Sequence, residues 1–163
     1  MKRQLLVGLT LVVALGVFAA TASAQHFTKS GQPVCTDIGT QLTCNAELAG
    51  LGNEDLSMTI SADTALTTVC VSPGGNESPG QNRILGTTTT TSTIPGSAIK
   101  NGRARISATT TTPATPTARQ AGCPNPNWTV RVADVEFSNI VVTITQADFS
   151  VTCTAAQPGA LTC

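Results

Sequence analysis

Few residues in this chain could do chemistry, and their spacing narrows the choice further. The 163 residues include six cysteines, one histidine and no tyrosine. An even number of cysteines in an exported chain reads as disulfides. Zinc is the competing chemistry for Cys35, Cys44, Cys70, Cys123, Cys153 and Cys163, and it fails on spacing. There is no C-x₂-C pair, and His26, the single imidazole, stands at the loose end of the expected mature chain. Cys35 and Cys44 bracket the turn-rich Thr36-Asp37-Ile38-Gly39-Thr40, and Cys153 and Cys163 bracket Ala155-Ala156-Gln157-Pro158-Gly159. Local geometry favours those two pairs, which leaves Cys70 with Cys123, although six cysteines permit many other connectivities.

Catalytic constellations are weak. Asn76-Glu77-Ser78-Pro79-Gly80 misses the first glycine of a G-x-S-x-G nucleophile elbow and lacks the helix that should follow it. With His26 as the only base, Ser–His and Cys–His arrangements have little support. Asp134 and Glu136 stand two apart on one strand face, and paired carboxylates can hydrolyse glycosides at suitable separations. That face is the solvent side of the strand, and four aromatics beyond the leader are too few for a sugar cleft. Gly52-Asn53-Glu54-Asp55, with Asp63, offers oxygen ligands for calcium, but turns use the same residues and the EF-hand spacing is absent. Asn76-Glu77-Ser78 and Asn127-Trp128-Thr129 match the N-glycosylation pattern, which matters only in a host that modifies it. A threonine face can bind ice when it is flat and regular; Thr87–Thr91 is a run and not a repeat, so ice binding is not expected. No metal, cofactor or catalytic residue is expected.

Binding is expected on two loops. One is Cys70-Val71-Ser72-Pro73-Gly74-Gly75-Asn76-Glu77-Ser78-Pro79-Gly80-Gln81-Asn82; the other is Gly122-Cys123-Pro124-Asn125-Pro126-Asn127-Trp128. A Cys70–Cys123 bond would bring both to one end of the fold, where sandwich domains carry recognition loops. The candidate binding residues are Gly74, Gly75, Asn76, Glu77, Gln81, Asn82, Asn125, Asn127 and Trp128. The plainer alternative is two turns tied down by a disulfide, with Trp128 packing over the bridge in phase with Val130 and Val132.

The elements that must position these residues read as strands. Leu56 to Ala62 alternates apolar and polar, and Ala65 to Val71 suggests a neighbouring strand after Asp63-Thr64. Trp128, Val130 and Val132 alternate inward, and Val135 and Phe137 resume the period one residue out of phase, which predicts a β-bulge near Ala133-Asp134. Ile140, Val142 and Ile144 follow after a joint at Ser138-Asn139, and Ala147 to Cys153 makes one more strand. Asn101-Gly102 predicts a type I′ hairpin joining Ser97–Lys100 to Arg103–Thr112. Thr87–Thr91 and Thr109–Thr112 read as exposed strands or their margins, and Pro113 to Pro116 as a loop. No helical period occurs outside the N-terminal apolar run. About eight short antiparallel strands point to an all-β, two-sheet sandwich of immunoglobulin-like type, with a small closed barrel as the alternative.

Met1-Lys2-Arg3-Gln4, the apolar run Leu5 to Ala20 and the A-x-A site Ala22-Ser23-Ala24 together form a Sec signal peptide of bacterial form. The apolar run is too short for a membrane anchor, and no second one follows. The expected mature domain, residues 25–163, holds seven basic and nine acidic residues, a net charge of −2. That excludes a phosphate-backbone footprint and a polybasic membrane patch. Nucleic acid is therefore not an expected partner.

Several blocks resemble a group of small, uncharacterised exported bacterial proteins. They are Cys44-x-x-x-Leu48-Ala49-Gly50-Leu51-Gly52-Asn53, the Cys70 to Asn82 segment, Lys100-Asn101-Gly102-Arg103-Ala104, Cys123-Pro124-Asn125-Pro126-Asn127-Trp128 and Asp134-Val135-x-Phe137. The resemblance spans most of the mature chain and implies a secreted all-β domain. It carries over no activity, cofactor or catalytic residue.

The expectation is therefore a secreted or periplasmic, disulfide-stabilised β-sandwich that binds a protein or glycan, or serves structurally in the envelope, without catalysis. The rival classes are a carboxylate-dependent hydrolase and a secreted inhibitor or toxin whose exposed loop is Gly74 to Ser78.

Overall fold

A computed structural model describes residues 25–163; the expected signal peptide at 1–24 lies outside the described residues. The strands are β1 (His26–Phe27), β2 (Val34–Asp37), β3 (Leu42–Ala49), β4 (Leu56–Val71), β5 (Glu77–Pro79) and β6 (Ile84–Ile94), then β7 (Arg103–Thr109), β8 (Thr129–Gln146), β9 (Phe149–Ala155) and β10 (Gly159–Ala160). One helical turn, α1 (Ala118–Ala121), lies between β7 and β8.

Two antiparallel sheets face each other. In the first, β7 runs along one edge of β3, β2 and β1 share the other edge, and β10 joins β2. In the second, β6 and β5 share one edge of β4, β8 lies along the other, and β9 follows. Thus β2, β3 and β7 take the places of strands A, B and E in an immunoglobulin-like sandwich, and β6, β4, β8 and β9 those of C′, C, F and G. The last residues cross between sheets, because Thr162 exchanges backbone hydrogen bonds with Thr154 of β9.

Alternation builds the core. Leu56, Met58 and Ile60 of β4, Phe137, Ile140, Val142 and Ile144 of β8, and Leu42, Leu48 and Ile106 of the first sheet are at most 1% exposed. Each such side chain contributes roughly 1.5–3 kcal/mol on burial. Antibody domains bridge strands B and F at this level with a disulfide. Here β3 and β8 meet through apolar side chains, and the bonds lie elsewhere. Cys35–Cys44 joins directly opposed residues of β2 and β3, Cys70–Cys123 ties the end of β4 to the segment after α1, and Cys153–Cys163 ties β9 to the C-terminus. The first and third are the pairs that the turn-rich brackets favour, and the second is the pair they leave.

The bulge expected near Ala133-Asp134 is present: Asp134 pairs with Thr67 and Val132 with Thr68, so Ala133 is the extra residue. A second irregularity falls between the Ser61–Val141 and Asp63–Ser138 pairs, where Asn139 takes a positive φ of 49°. Both bulges sit in β8, so the inward phase of β4 runs unbroken from Leu56 to Cys70.

Four expectations are corrected. Leu56–Ala62 and Ala65–Val71 are one strand of 16 residues, since Asp63-Thr64 is held on both sides by β6 and β8 and does not turn. Asn101 and Gly102 do form the left-handed turn, with φ of 51° and 67°, but no strand precedes it. Gly96–Ala98 is a 3₁₀ turn whose first N–H is bound by Asp55 at 2.9 Å, and Gly96 lies against the backbone of Asn53 with no room for a side chain. The last long strand begins at Phe149 because Ala147, at φ 47°, opens the turn. Finally, the segment after Pro116 contains α1, fixed by a reciprocal Thr117–Gln120 capping box too short to leave a periodic signal.

Candidate functional site

The two expected binding loops do meet. Val71 pairs with Thr129 and Cys70 with Val130, so the Ser72–Asn76 turn and the Pro124–Trp128 turn share one end of the second sheet. Several of their polar groups also hold the fold. Ser72 closes a tight turn, donating its N–H to the Asn76 carbonyl and accepting the Asn76 N–H on Oγ, both at 2.9 Å. Gly74 and Gly75 form its tip, and Gly75 takes a φ of 84°. Glu77 begins β5 and faces Arg131 at 3.3 Å. Gln81 donates to the Pro79 carbonyl at 3.1 Å.

Asn82 is a clamp. Its N–H donates to the Ala121 carbonyl at 3.1 Å and its Nδ2 to the Gln120 carbonyl at 3.0 Å, pinning the loop to α1. Asn125 accepts the Asn127 N–H at 2.9 Å in an Asx turn, and its carbonyl accepts the Trp128 N–H at 3.1 Å. Trp128 is half-buried at the entry to β8.

The carboxylates considered for catalysis stand on the open face of the second sheet. Asp134 and Glu136 are both exposed, and Glu136 pairs with Arg83 at 2.9 Å. Glu136 borders a shallow groove with Thr68, Gly80 and Arg83 that Asp134 does not line. Of the calcium candidates, Gly52-Asn53-Glu54-Asp55 share one loop and Asp63 lies apart from them. Asp55 binds Gly96, whereas Asp63 lies eight residues along β4, roughly 25 Å at the rise of a strand, and accepts from Asn139 at 2.8 Å. Among the described residues no group of three His, Cys, Asp or Glu could hold a metal.

The loop Gly52–Asp55 is organised by a residue that periodicity does not reveal. Gln146, 1% exposed at the end of β8, accepts the Gly52 N–H at 3.0 Å and donates to the Glu54 carbonyl at 2.8 Å. Its Oε1 also accepts from Gln25 at 3.2 Å. Thr110, fully buried, plays the same part at the end of β7, taking the Leu42 N–H on its hydroxyl at 2.9 Å.

A different surface emerges from the sheet register. On the outer face of the second sheet, Thr93, Ser57, Thr145 and Ser150 form one row across β6, β4, β8 and β9. Thr91, Thr59, Thr143 and Thr152 form the next, and Thr89, Ser61, Val141 and Thr154 the third. Lateral hydroxyl contacts tie the rows: Ser57 to Thr93 at 2.9 Å, Thr59 to Thr91 at 2.8 Å, and Thr143 to Thr152 at 3.3 Å. None of these side chains is ionisable. The charged residues of the same face, Arg83, Arg131, Asp134, Glu136 and Glu77, lie on its other half, beyond Asp63.

The three disulfides place the chain in an oxidising compartment. No helix among the described residues is long and apolar enough to cross a membrane. No protein-family model, curated protein or solved structure matches the chain.

Proposed function

We propose that the chain is an exported bacterial protein, secreted or periplasmic, that works without catalysis as a binding module. Its binding surface is the hydroxyl face formed by the outward side chains of β6, β4, β8 and β9. The observation that carries this reading is the three-row array, in which every position but Val141 is threonine or serine. Its side chains lie outside the core. It is presented on a sheet whose inner side is packed and whose β4 and β9 are tied by disulfides. A rigid scaffold under a uniform polar surface suits recognition of an extended, uncharged partner. The leader-like residues 1–24 and the oxidised cysteines support export.

The test is co-sedimentation with insoluble materials, comprising cell-wall polysaccharides and ice, using the native protein, a Thr59→Lys/Thr143→Lys variant and an Asn76→Ala/Glu77→Ala/Gln81→Ala variant. Loss of retention in the face variant alone supports the reading. Loss in the loop variant alone moves the site to the Cys70–Cys123 end, and retention of native protein on none of the materials removes the binding role.

A further inference from the structure

We infer that the free edge of β6 pairs with β6 of a second copy of this chain, giving a two-fold dimer with one continuous outer sheet. This assembly goes beyond the hydroxyl face as a binding surface and holds whatever that face binds.

β6 runs for eleven residues, Ile84–Ile94, and contains no charged residue and no proline. All eleven pair with β4 in one unbroken register, so no bulge turns the strand away. Its other edge makes no backbone hydrogen bond among the described residues. Unpaired N–H and C=O groups along an uninterrupted edge are a template for another strand, and proteins usually guard against such pairing. The remaining edges of this protein are guarded. β1 and β10 have two residues each, β10 covers β2, and β5 has three residues and ends in Pro79. β7 carries the exposed Arg103 and Arg105, while β9 is met by Thr162 and held by Cys153–Cys163. β6 alone is left long and bare.

The residues of β6 match that edge. Antiparallel pairing about a two-fold axis at Thr90 sets Thr89 against the second copy's Thr91, Thr88 against its Ser92 and Thr87 against its Thr93. Every position from 87 to 93 then faces a threonine or a serine, the kind of cross-strand pair that Thr91 and Thr93 already make with β4. The same register brings the second copy's Ile94 opposite Gly86, and its Pro95 opposite Leu85. Gly86, without a side chain, borders a groove of about 320 Å³ lined by Leu66, Ile84, Pro113 and Ala114. Ile94, inward-facing and partly exposed, comes to lie over that gap. Leu85, the most exposed large hydrophobic residue described at 72%, gains an apolar neighbour. A strand from another protein would need the same neutral run with an aliphatic residue four positions from its centre. A second copy brings both.

Opposed residues of an antiparallel pair point to the same face, so the two hydroxyl faces join on one side of the dimer. A two-fold contact uses each edge once and closes at two copies.

The native protein is weighed by sedimentation equilibrium over a range of concentrations, with hydrogen exchange of β6 followed in parallel. Mass should double as concentration rises, and β6 amides that exchange fast in the monomer should slow in the dimer. Thr89→Lys/Thr91→Lys sets lysine directly opposite lysine across the junction and should stay at monomer mass. Thr36→Lys, at an exposed position of β2, should dimerise as the native protein does. Should the double lysine variant not fold, Thr90→Cys tests the axis itself. It should cross-link to its copy on mild oxidation, whereas Thr88→Cys, about 13 Å from its own copy along the strand, should not. A native protein that stays at monomer mass overturns the inference, as does a folded lysine variant that still dimerises. Equal cross-linking of the two cysteine variants also overturns it, since the strands would not then meet at Thr90.

Discussion

The hydroxyls of Thr59 and Thr91 lie 2.8 Å apart across β4 and β6, the shortest of the lateral contacts on the outer face of the second sheet. The pair is solvent-facing, and cross-strand threonine pairs contribute roughly 0.2–1 kcal/mol. A double-mutant cycle with Thr59→Ala and Thr91→Ala should therefore give a coupling of about 0.5 kcal/mol by urea denaturation. A coupling near zero would show that the hydroxyls bond to water instead of each other.

Gln146→Leu should be among the most damaging polar substitutions. It keeps the volume but leaves the Gly52 N–H and the Glu54 carbonyl without partners at a part-buried site. An unsatisfied buried group costs about 1–3 kcal/mol, so a loss of about 2–3 kcal/mol is expected. Hydrogen exchange at Gly52 should accelerate in the same variant.

Disulfide removal should be graded by loop length. The chain-entropy model assigns about 4 kcal/mol to Cys70–Cys123, which spans 53 residues, and about 2.6 kcal/mol to Cys35–Cys44, which spans 9. Alanine pairs at each bond, compared by thermal unfolding, should follow that order. Peptide mapping without reductant should recover the three bonds, and a Cys35–Cys163 peptide would contradict the fold.

The Cys70–Cys123 end separates free side chains from structural ones. Replacing Asn76 and Gln81 by alanine should change stability by less than about 0.5 kcal/mol. Asn82→Ala removes the side-chain bond to the Gln120 carbonyl and should cost about 1 kcal/mol. Equal effects from both would mean that Asn82 does not pin α1.

Trp128→Ala should cost about 2 kcal/mol, below the 3–5 typical of a core aromatic, because the ring is half-buried. A loss in the full core range, measured by denaturant unfolding, would place the ring inside the sandwich.

Alternation in Leu56–Ala62 and in Ile140–Ile144, the phase slip before Val135, and the bracketed cysteines all follow from local patterns. Strand period, bulge and short-range bonds are properties of neighbouring residues, so the sequence alone pointed to the all-β class, a bulge near Ala133-Asp134 and the Cys35–Cys44 and Cys153–Cys163 pairs, and left Cys70–Cys123, 53 residues apart, by elimination. Asp63-Thr64 looked like a turn because composition carries no information about strands pairing on either side. The same limit hid Gln146, whose partners lie more than ninety positions away along the chain. It hid the hydroxyl face most completely. Thr59, Thr91, Thr143 and Thr152 come from four separate strands, and each reads singly as an ordinary outward residue. Only the register of β6, β4, β8 and β9 sets them in one row, and register is decided where both sheets close over a common core, since a slip of one residue would turn every buried side chain outward.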